Sequence, residues 1–387
     1  MTKVTGDWLT QCGTQSVLTM LEEAGHQAYA VGGCVRNAVL GEPVGDVDIS
    51  TSARPEQVID LAKAAGLKPV PTGIDHGTIT VVVDGEGYEV TSFRADVETD
   101  GRRAVVRFSD DIHEDAIRRD FTMNALYADR HGTIIDPLGG LPDLLKRHLR
   151  FIEDAEQRIR EDYLRVLRYF RFFAWYADPN DGMDPEALAA IANTLDGLNT
   201  LSRERVGSEF LKLLSAADPL MSVSVMAQTG VLTHLLPGSQ IRAFGSLLHH
   251  EEALALQVNP IRRLLALGHI DGSSLRLSKG QQREIALLLR LISGTETPAE
   301  IAHLHGASTA RDVVVLRAAL LEIPLIVADE AELKHAEDAK FPVQAQDLMP
   351  EFSGPALGEV LKRLQRRWIA SNFAMSKTDL LDSRYEP

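Results

Sequence analysis

Two textures of hydrophobic patterning divide the chain. Over roughly the first 150 residues, short apolar runs alternate with turns marked by glycine and proline. Residues 28–31 (AYAV) predict a strand that ends at Gly32-Gly33, residues 36–40 a short helix, and residues 46–50 a second strand. Arg54-Pro55 opens a helix that continues through Ala65 and stops at Gly66, with proline in the first turn where its missing N–H costs nothing. Residues 77–84 (GTITVVVD) and 87–94 (GYEVTSFR) predict a hairpin closed at Asp84-Gly85-Glu86. Residues 95–110 lack strong periodicity, and Asp100-Gly101 within them marks a loop.

Past residue 150 the period becomes helical. Leu164, Leu167, Phe170 and Phe173 fall on one side of a helix. Breaks at 178–182, Leu236-Pro237-Gly238, Asn259-Pro260, Asp271-Gly272 and 294–298 punctuate further helices rather than strands. The expected class is therefore α+β: a mixed head over residues 1–150, a helical neck over 151–215, and a helical body and tail over 216–387.

Composition narrows the function. The chain has 387 residues, too many for one ordinary core. No stretch approaches the roughly 20 apolar residues that span a bilayer, and the N-terminus lacks the apolar segment of an export signal. Two cysteines, Cys12 and Cys34, make neither a disulfide framework nor a zinc set and suit a reducing cytoplasm. His249, His250 and His269 are scattered among helices, and no second metal site is expected from them. A net charge of −15 argues against broad nonspecific binding to nucleic acid. Screening confines charge effects to about 8–10 Å, so local distribution matters more than the sum. Residues 146–171 carry eight basic residues against five acids, and Lys362, Arg363, Arg366 and Arg367 form a second cluster. That second cluster lies largely outside the apolar stripe of Leu357, Val360, Leu361, Leu364 and Trp368, which suits packing inward and phosphate contact outward.

The chemistry concentrates in AYAVGGCVRNAVLGEPVGDVDIS. Gly32-Gly33 lets the backbone approach a ligand, the following helix start offers free N–H groups to a phosphate, and Arg36 adds a charged fork. Asp46 and Asp48 are two apart on an extended segment, so both carboxylates share one face while Val47 and Ile49 take the other. Two acids beside a phosphate cradle are what Mg²⁺ uses, because it binds few protein oxygens plus substrate phosphates. Glu89 in the neighbouring strand is a candidate third carboxylate.

A second constellation lies in EDYLRVLR, residues 161–168. On one helix Asp162 and Arg165 would be neighbours, with Glu161 one turn from Arg165 to orient it. A carboxylate only accepts hydrogen bonds and a guanidinium only donates them. Such a pair matches the amino donor and ring-nitrogen acceptor of cytosine or adenine and leaves uracil or guanine unpaired, a discrimination that reaches about 10⁴-fold in a desolvated site. The alternative is a surface salt bridge worth about 0.2–0.5 kcal/mol.

The Gly-Gly and Asp-x-Asp arrangement resembles the nucleotidyltransferase motif of the DNA polymerase β superfamily. The longer GGCVRN…GDVDIS is similar to class II tRNA CCA-adding enzymes and related poly(A) polymerases, whose usual GGxVRD has an acid where Asn37 stands here. His76-Gly77-Thr78, RRDFTMNA (118–125), the Asp136–Gly140 run DPLGG, EDYLRVLR and Ser202-Arg203-Glu204-Arg205 extend the resemblance over residues 25–215. It implies a polymerase-β-like head, Mg²⁺ held by Asp46 and Asp48, CTP and ATP as substrates, and a tRNA 3′ end as acceptor. It also implies that Arg119 and Asp120 meet the nucleotide sugar and Asn124 the triphosphate region, and that Asp162 and Arg165 select the base. Residues 95–110 correspond in position to a flexible loop implicated in switching from C to A addition. Arg158, Arg168 and Arg171 are the neck candidates for nucleotide or RNA phosphates. Poly(A) synthesis, an A-adding or CC-adding specialisation, and small-molecule adenylyl transfer are the alternatives.

Overall fold

The computed structural model describes residues 2–99, 104–268 and 273–385. The chain forms two compact units, Met1–Pro237 and Gly238–Pro387, divided at the Leu236-Pro237-Gly238 break. No described helix is long and apolar enough to cross a membrane.

The first unit is built on a seven-stranded mixed sheet. Its strands are β1 (Ala28–Val31), β2 (Asp48–Thr51), β3 (Lys68–Gly73), β4 (Thr78–Val83), β5 (Glu86–Ser92), β8 (Tyr127–Ala128) and β9 (Ile134–Ile135), in the order β3-β4-β5-β2-β1-β8-β9. The expected β4–β5 hairpin forms, and Asp84 (φ 51°) and Gly85 (φ 90°) both take the left-handed turn its tight closure demands. Strand β2 starts at Asp48 rather than Asp46, but Val47 and Ile49 are buried while Asp46 and Asp48 are exposed, so the alternation extends through the unpaired residues.

Two segments depart from the sequence reading. Part of residues 95–110 is a ribbon, β6 (Arg94–Thr99) with β7 (Ala104–Phe108), and residues 100–103 of that segment lie outside the described residues, as does His269. A register shift between Asp96 and Glu98 breaks the alternation that would have exposed the strand. The segment EDYLRVLR is two helices, Ala155–Glu161 and Leu164–Tyr176, with Asp162 extended between them (φ −150°, ψ 103°). Asp162 Oδ1 accepts the Leu164 N–H (3.1 Å), so it caps the second helix instead of riding on it. The apolar stripe from Leu164 to Phe173 is buried as its spacing predicts, and Tyr169 and Phe172 pack on Phe121 with ring centroids 6.1 and 5.2 Å away.

RRDFTMNA is stitched into this core. Phe121 bridges to Phe151, and Thr122–Asn124 form one 3₁₀ turn. Gly140 of the DPLGG run lies against it so closely that a Cβ would stand 2.3 Å from the Thr122 carbonyl oxygen. Asp136 caps that corner, its carboxylate accepting the N–H groups of Gly140 (2.8 Å) and Leu141 (2.9 Å).

The second unit is helical among its described residues. Its interior holds charge: Arg262 pairs with Glu251 (2.7 Å) and with Asp312, and Arg263 with Glu251 (2.8 Å). Near the C-terminus the Gly354–Ala370 helix buries Val360, Leu364 and Trp368, as the stripe predicts.

One buried acid joins the elements that carry the chemistry. Asp115, on the Ile112–Ile117 helix, is fully buried and accepts from Arg118 Nε (3.0 Å), Arg119 Nη2 (3.0 Å), the Tyr127 hydroxyl (2.8 Å) and Ser50 Oγ (3.3 Å). Burial pushes its carboxyl up, but the Arg119 and Arg118 guanidiniums outweigh that and hold it at about 2. Its stabilisation is therefore complete above the ordinary carboxylate pKa of about 3.9 and is lost as pH falls through about 2. Removing one member of such a buried set leaves charge unpaired, so Asp115→Ala should cost about 3–5 kcal/mol of unfolding free energy at pH 7. Denaturant titration of wild type and variant checks it; coincident midpoints would count against the hub.

Candidate active site

Strand β1 delivers the chain to Gly32, whose backbone (φ 71°, ψ −115°) no side-chain-bearing residue adopts easily. The Gly33–Leu40 helix starts there, and its first turn presents N–H groups without intrahelical partners. Beside it, Asp48 on β2 stands opposite Glu89 on β5 in the parallel register, both exposed and flanked by buried Ile49 and Val90. Asp48 keeps solvent access, yet its carboxyl is pushed up to about 6, first by burial, then by Glu89, with Asp46 adding to and Arg119 opposing the shift. Acids that raise one another's proton affinity are a donor set short of positive charge, and a divalent ion fits it. Among the described residues no three acid, His or Cys side chains have converged on a point.

Next to these acids lies a cavity of about 460 Å³. Arg36, Arg118 and Arg119 line it from the head, and Arg165, Arg168, Arg171 and Arg205 from the neck. Only Asp48, Asp120 and Asp162 contribute carboxylates to its wall, so an acidic chain encloses a basic recess. Such a recess suits a nucleoside triphosphate.

Arg36 does not project into that recess as a free fork. It is buried and spends four of its five N–H groups on protein: Nη1 on Asn124 Oδ1 (2.6 Å), Nη2 on the Tyr176 hydroxyl (2.8 Å) and Asn37 Oδ1 (3.0 Å), and Nε on Asn37 Oδ1 (3.2 Å). The guanidinium also lies 4.0 Å from the Tyr176 ring centroid. Asn37 in turn donates to the Pro43 carbonyl (2.8 Å), a bond that an aspartate there could not make when ionised. Asn124 Nδ2 continues the chain to Asp120 Oδ1 (2.9 Å), and Asp120 Oδ2 accepts from Arg168 Nε (2.6 Å). Burial raises the Asp120 carboxyl, but Arg168 above all brings it down to about 2. Arg36, Asn124, Asp120 and Arg168 thus hold one another, fastening the glycine-turn helix to the Leu164–Tyr176 helix.

At the other end of the recess, Arg165 Nη1 donates to Glu161 Oε2 (2.6 Å) and the Arg158 carbonyl (2.8 Å), and Nη2 to the Arg118 carbonyl (2.7 Å). Asp162 Oδ2 accepts from Arg205 (2.7 Å) and not from Arg165. The simple i,i+3 pair expected on one helix is absent because the helix breaks at Asp162.

The geometry agrees with known proteins. Residues 28–150 match the family described as the Poly A polymerase head domain, and residues 182–241 the one described as a probable RNA and SrmB-binding site of polymerase A. The chain is 31% identical to the mouse mitochondrial CCA tRNA nucleotidyltransferase 1, over 95% of its own length and 89% of the relative's. The chain belongs to the CCA-adding tRNA nucleotidyltransferases. A CCA-adding enzyme of Levilactobacillus brevis is 42% identical over 56% of this chain. The crystal structure of the Bacillus stearothermophilus CCA-adding enzyme in complex with CTP superimposes with a TM-score of 0.75 at 30% identity, covering 95% of this chain and 94% of that one. Membership makes the chain a nucleotidyltransferase with a polymerase-β-superfamily head.

Within this CCA-adding family fold, Gly32, Gly33, Asp48, Arg119, Asp162 and Arg165 meet around one recess, together with Arg36, Asp120, Asn124 and Arg168. Arg158 does not face RNA: it is buried, pairs with Glu161 (2.5 Å) and donates to the Ile117 carbonyl. In the tail helix, Arg363 and Arg367 donate to the carbonyls of Arg384 and Ser383, which leaves Lys362 and Arg366 as the exposed cations of that cluster. Sequence reasoning missed Asp115, Tyr127 and Tyr176: Tyr176 meets Arg36 140 positions away and leaves no local signal, whereas Asp115 precedes Arg118 and Arg119 at the i,i+3 and i,i+4 spacing that could have found it. A test of the acid set follows from the raised pKa of Asp48. Below about pH 6 its carboxyl gains a proton, and a divalent ion placed there would lose that donor. Mg²⁺ should therefore raise the unfolding temperature clearly at pH 7.5 and much less at pH 5; an equal increment at both pH values would rule this out.

Proposed function

We propose that the chain adds C, C and A to the 3′ end of tRNA, drawing on CTP and ATP and releasing pyrophosphate, without a nucleic-acid template. The observation that carries this reading is the basic recess with Asp48, paired across the sheet with Glu89, at one end and the Asp162 and Arg165 edge at the other. Family membership supports it. Asp46 and Asp48, with Glu89 as third donor, would hold Mg²⁺, which when bound supplies Lewis-acid polarisation of the phosphates. The Gly32-Gly33 turn and Arg119 receive the triphosphate and sugar. The primer 3′-oxygen bonds to the α-phosphorus as its proton passes to solvent water, the bond from the α-phosphorus to the bridging oxygen breaks, and pyrophosphate leaves with that oxygen and its electron pair. Asp162 accepts from the amino group of C or A and Arg165 donates to the ring nitrogen, while U and G leave both groups unpaired. Arg36, Asp120, Asn124 and Arg168 position these parts rather than bind first. Cys12 and Cys34 are both unpaired, which fits a cytoplasmic enzyme.

A tRNA lacking its 3′ end, incubated with protein, Mg²⁺, CTP and ATP, should gain three residues and stop. Long A tails from ATP alone would instead make the chain a poly(A) polymerase. Asp46→Ala with Asp48→Ala removes several kcal/mol of transition-state stabilisation, so incorporation should fall about 10³-fold or more, with the circular dichroism spectrum retained.

Among the tail cations, Arg366 is exposed and free to meet a phosphate. Arg366→Ala should weaken tRNA binding several-fold and lower the salt-dependence slope by about 1, without changing CTP affinity. An unchanged Kd across a salt series removes the tail helix from the RNA path.

A further inference from the structure

The base-selecting edge has a third member. Asp162 stands on an extended residue between two helices, where no helical neighbour confines its side chain. Its Oδ1 is occupied by the Leu164 N–H at 3.1 Å and its Oδ2 by Arg205 Nη2 at 2.7 Å. Arg205 belongs to the Arg203–Leu214 helix, in whose first turn its own N–H is taken by the N-cap Ser202 hydroxyl. Arg205 also lines the recess. On the other half of the edge, Arg165 is gripped from behind by Glu161 and two carbonyls, leaving Nε–H and the second Nη2–H to face a base. Each reading group is thus held by a group of opposite charge: Arg165 by Glu161, and Asp162 by Arg205.

We propose that Arg205 is a specificity-determining positioning residue that aims the Asp162 carboxylate while its remaining lone pairs read the amino group of C or A. This rests on the reading of Asp162 and Arg165 as the selecting pair. A carboxylate oxygen has two lone pairs, so Arg205 and a base amino group can share Oδ2 without displacement. Freed of Arg205, the carboxylate swings among rotamers in contact with water, and the selecting acceptor loses its fixed position. The rejection of U, which depends on an acceptor fixed against an acceptor, then weakens before the chemical step does.

The experiment is single-turnover incorporation on tRNA lacking its 3′ end, with kcat/KM for CTP and UTP in wild type, Arg205→Met, Arg205→Lys and Asp162→Ala. The Asp162–Arg205 pair is half-exposed and contributes little stability, so the variants are expected to fold, and their unfolding temperatures verify it. Arg205→Met should lower the CTP:UTP ratio at least tenfold, mainly through a higher KM for CTP, with Arg205→Lys between it and wild type. If Arg205 instead competes with the base, Arg205→Met lowers KM for CTP, and the proposal is wrong. An unchanged ratio in Arg205→Met, while Asp162→Ala abolishes selectivity, also overturns it. If Asp162→Ala leaves the ratio unchanged, the failure lies in the base-reading assignment itself.

Discussion

Arg119 is held beside Asp48 because Asp115 meets it from beneath. A guanidinium placed alone beside Asp48 would swing with solvent; tied to a fully buried carboxylate and to Tyr127, it becomes a fixed positive wall. The same carboxylate takes Arg118, whose backbone carbonyl receives Arg165. A single ionised group in the core thus sets both ends of the recess. The cost of burying it is offset by two cations and two hydroxyls, which is the condition under which buried charge persists.

The second constraint is continuity between head and neck. The Gly33–Leu40 helix starts at the Gly32 turn, and the Leu164–Tyr176 helix begins beside Asp162. Arg36, Asn124, Asp120 and Arg168 join them by short, charge-assisted bonds in a buried setting, where hydrogen bonds polarise one another. The distance from the Gly32-Gly33 turn to the Asp162 and Arg165 edge is then fixed by the protein.

How much of this was legible depended on range. The Gly32 turn, the alternation of Asp46, Val47, Asp48 and Ile49, and the Asp84-Gly85 hairpin are local, and local pattern revealed them. The break at Asp162 was hidden because the apolar spacing runs on through Leu164 and Leu167, and only the capping bond to Leu164 N shows where the helix restarts. The β6–β7 ribbon was hidden by its register shift. The protein partners of Arg36 were hidden for a third reason. An arginine after two glycines carries the same letters whether it points at a phosphate or at Asn124 and Tyr176, residues 88 and 140 positions away. Buried partners so distant leave no trace in spacing.

The parallel pairing of β2 with β5 has a consequence for how this enzyme tolerates change. Asp48 faces Glu89 only in the register observed; a slip of β2 by one residue would turn Asp48 toward the core and bring Ile49 into its place beside Glu89. Residues 44–45, which follow the anchoring Asn37–Pro43 bond and lie outside any strand, can absorb an insertion at the modest entropic cost of a longer loop. Residues 46–51 cannot absorb even one. Drift in length is therefore confined to the approach, and the strand itself acts as a ruler whose graduations must not move.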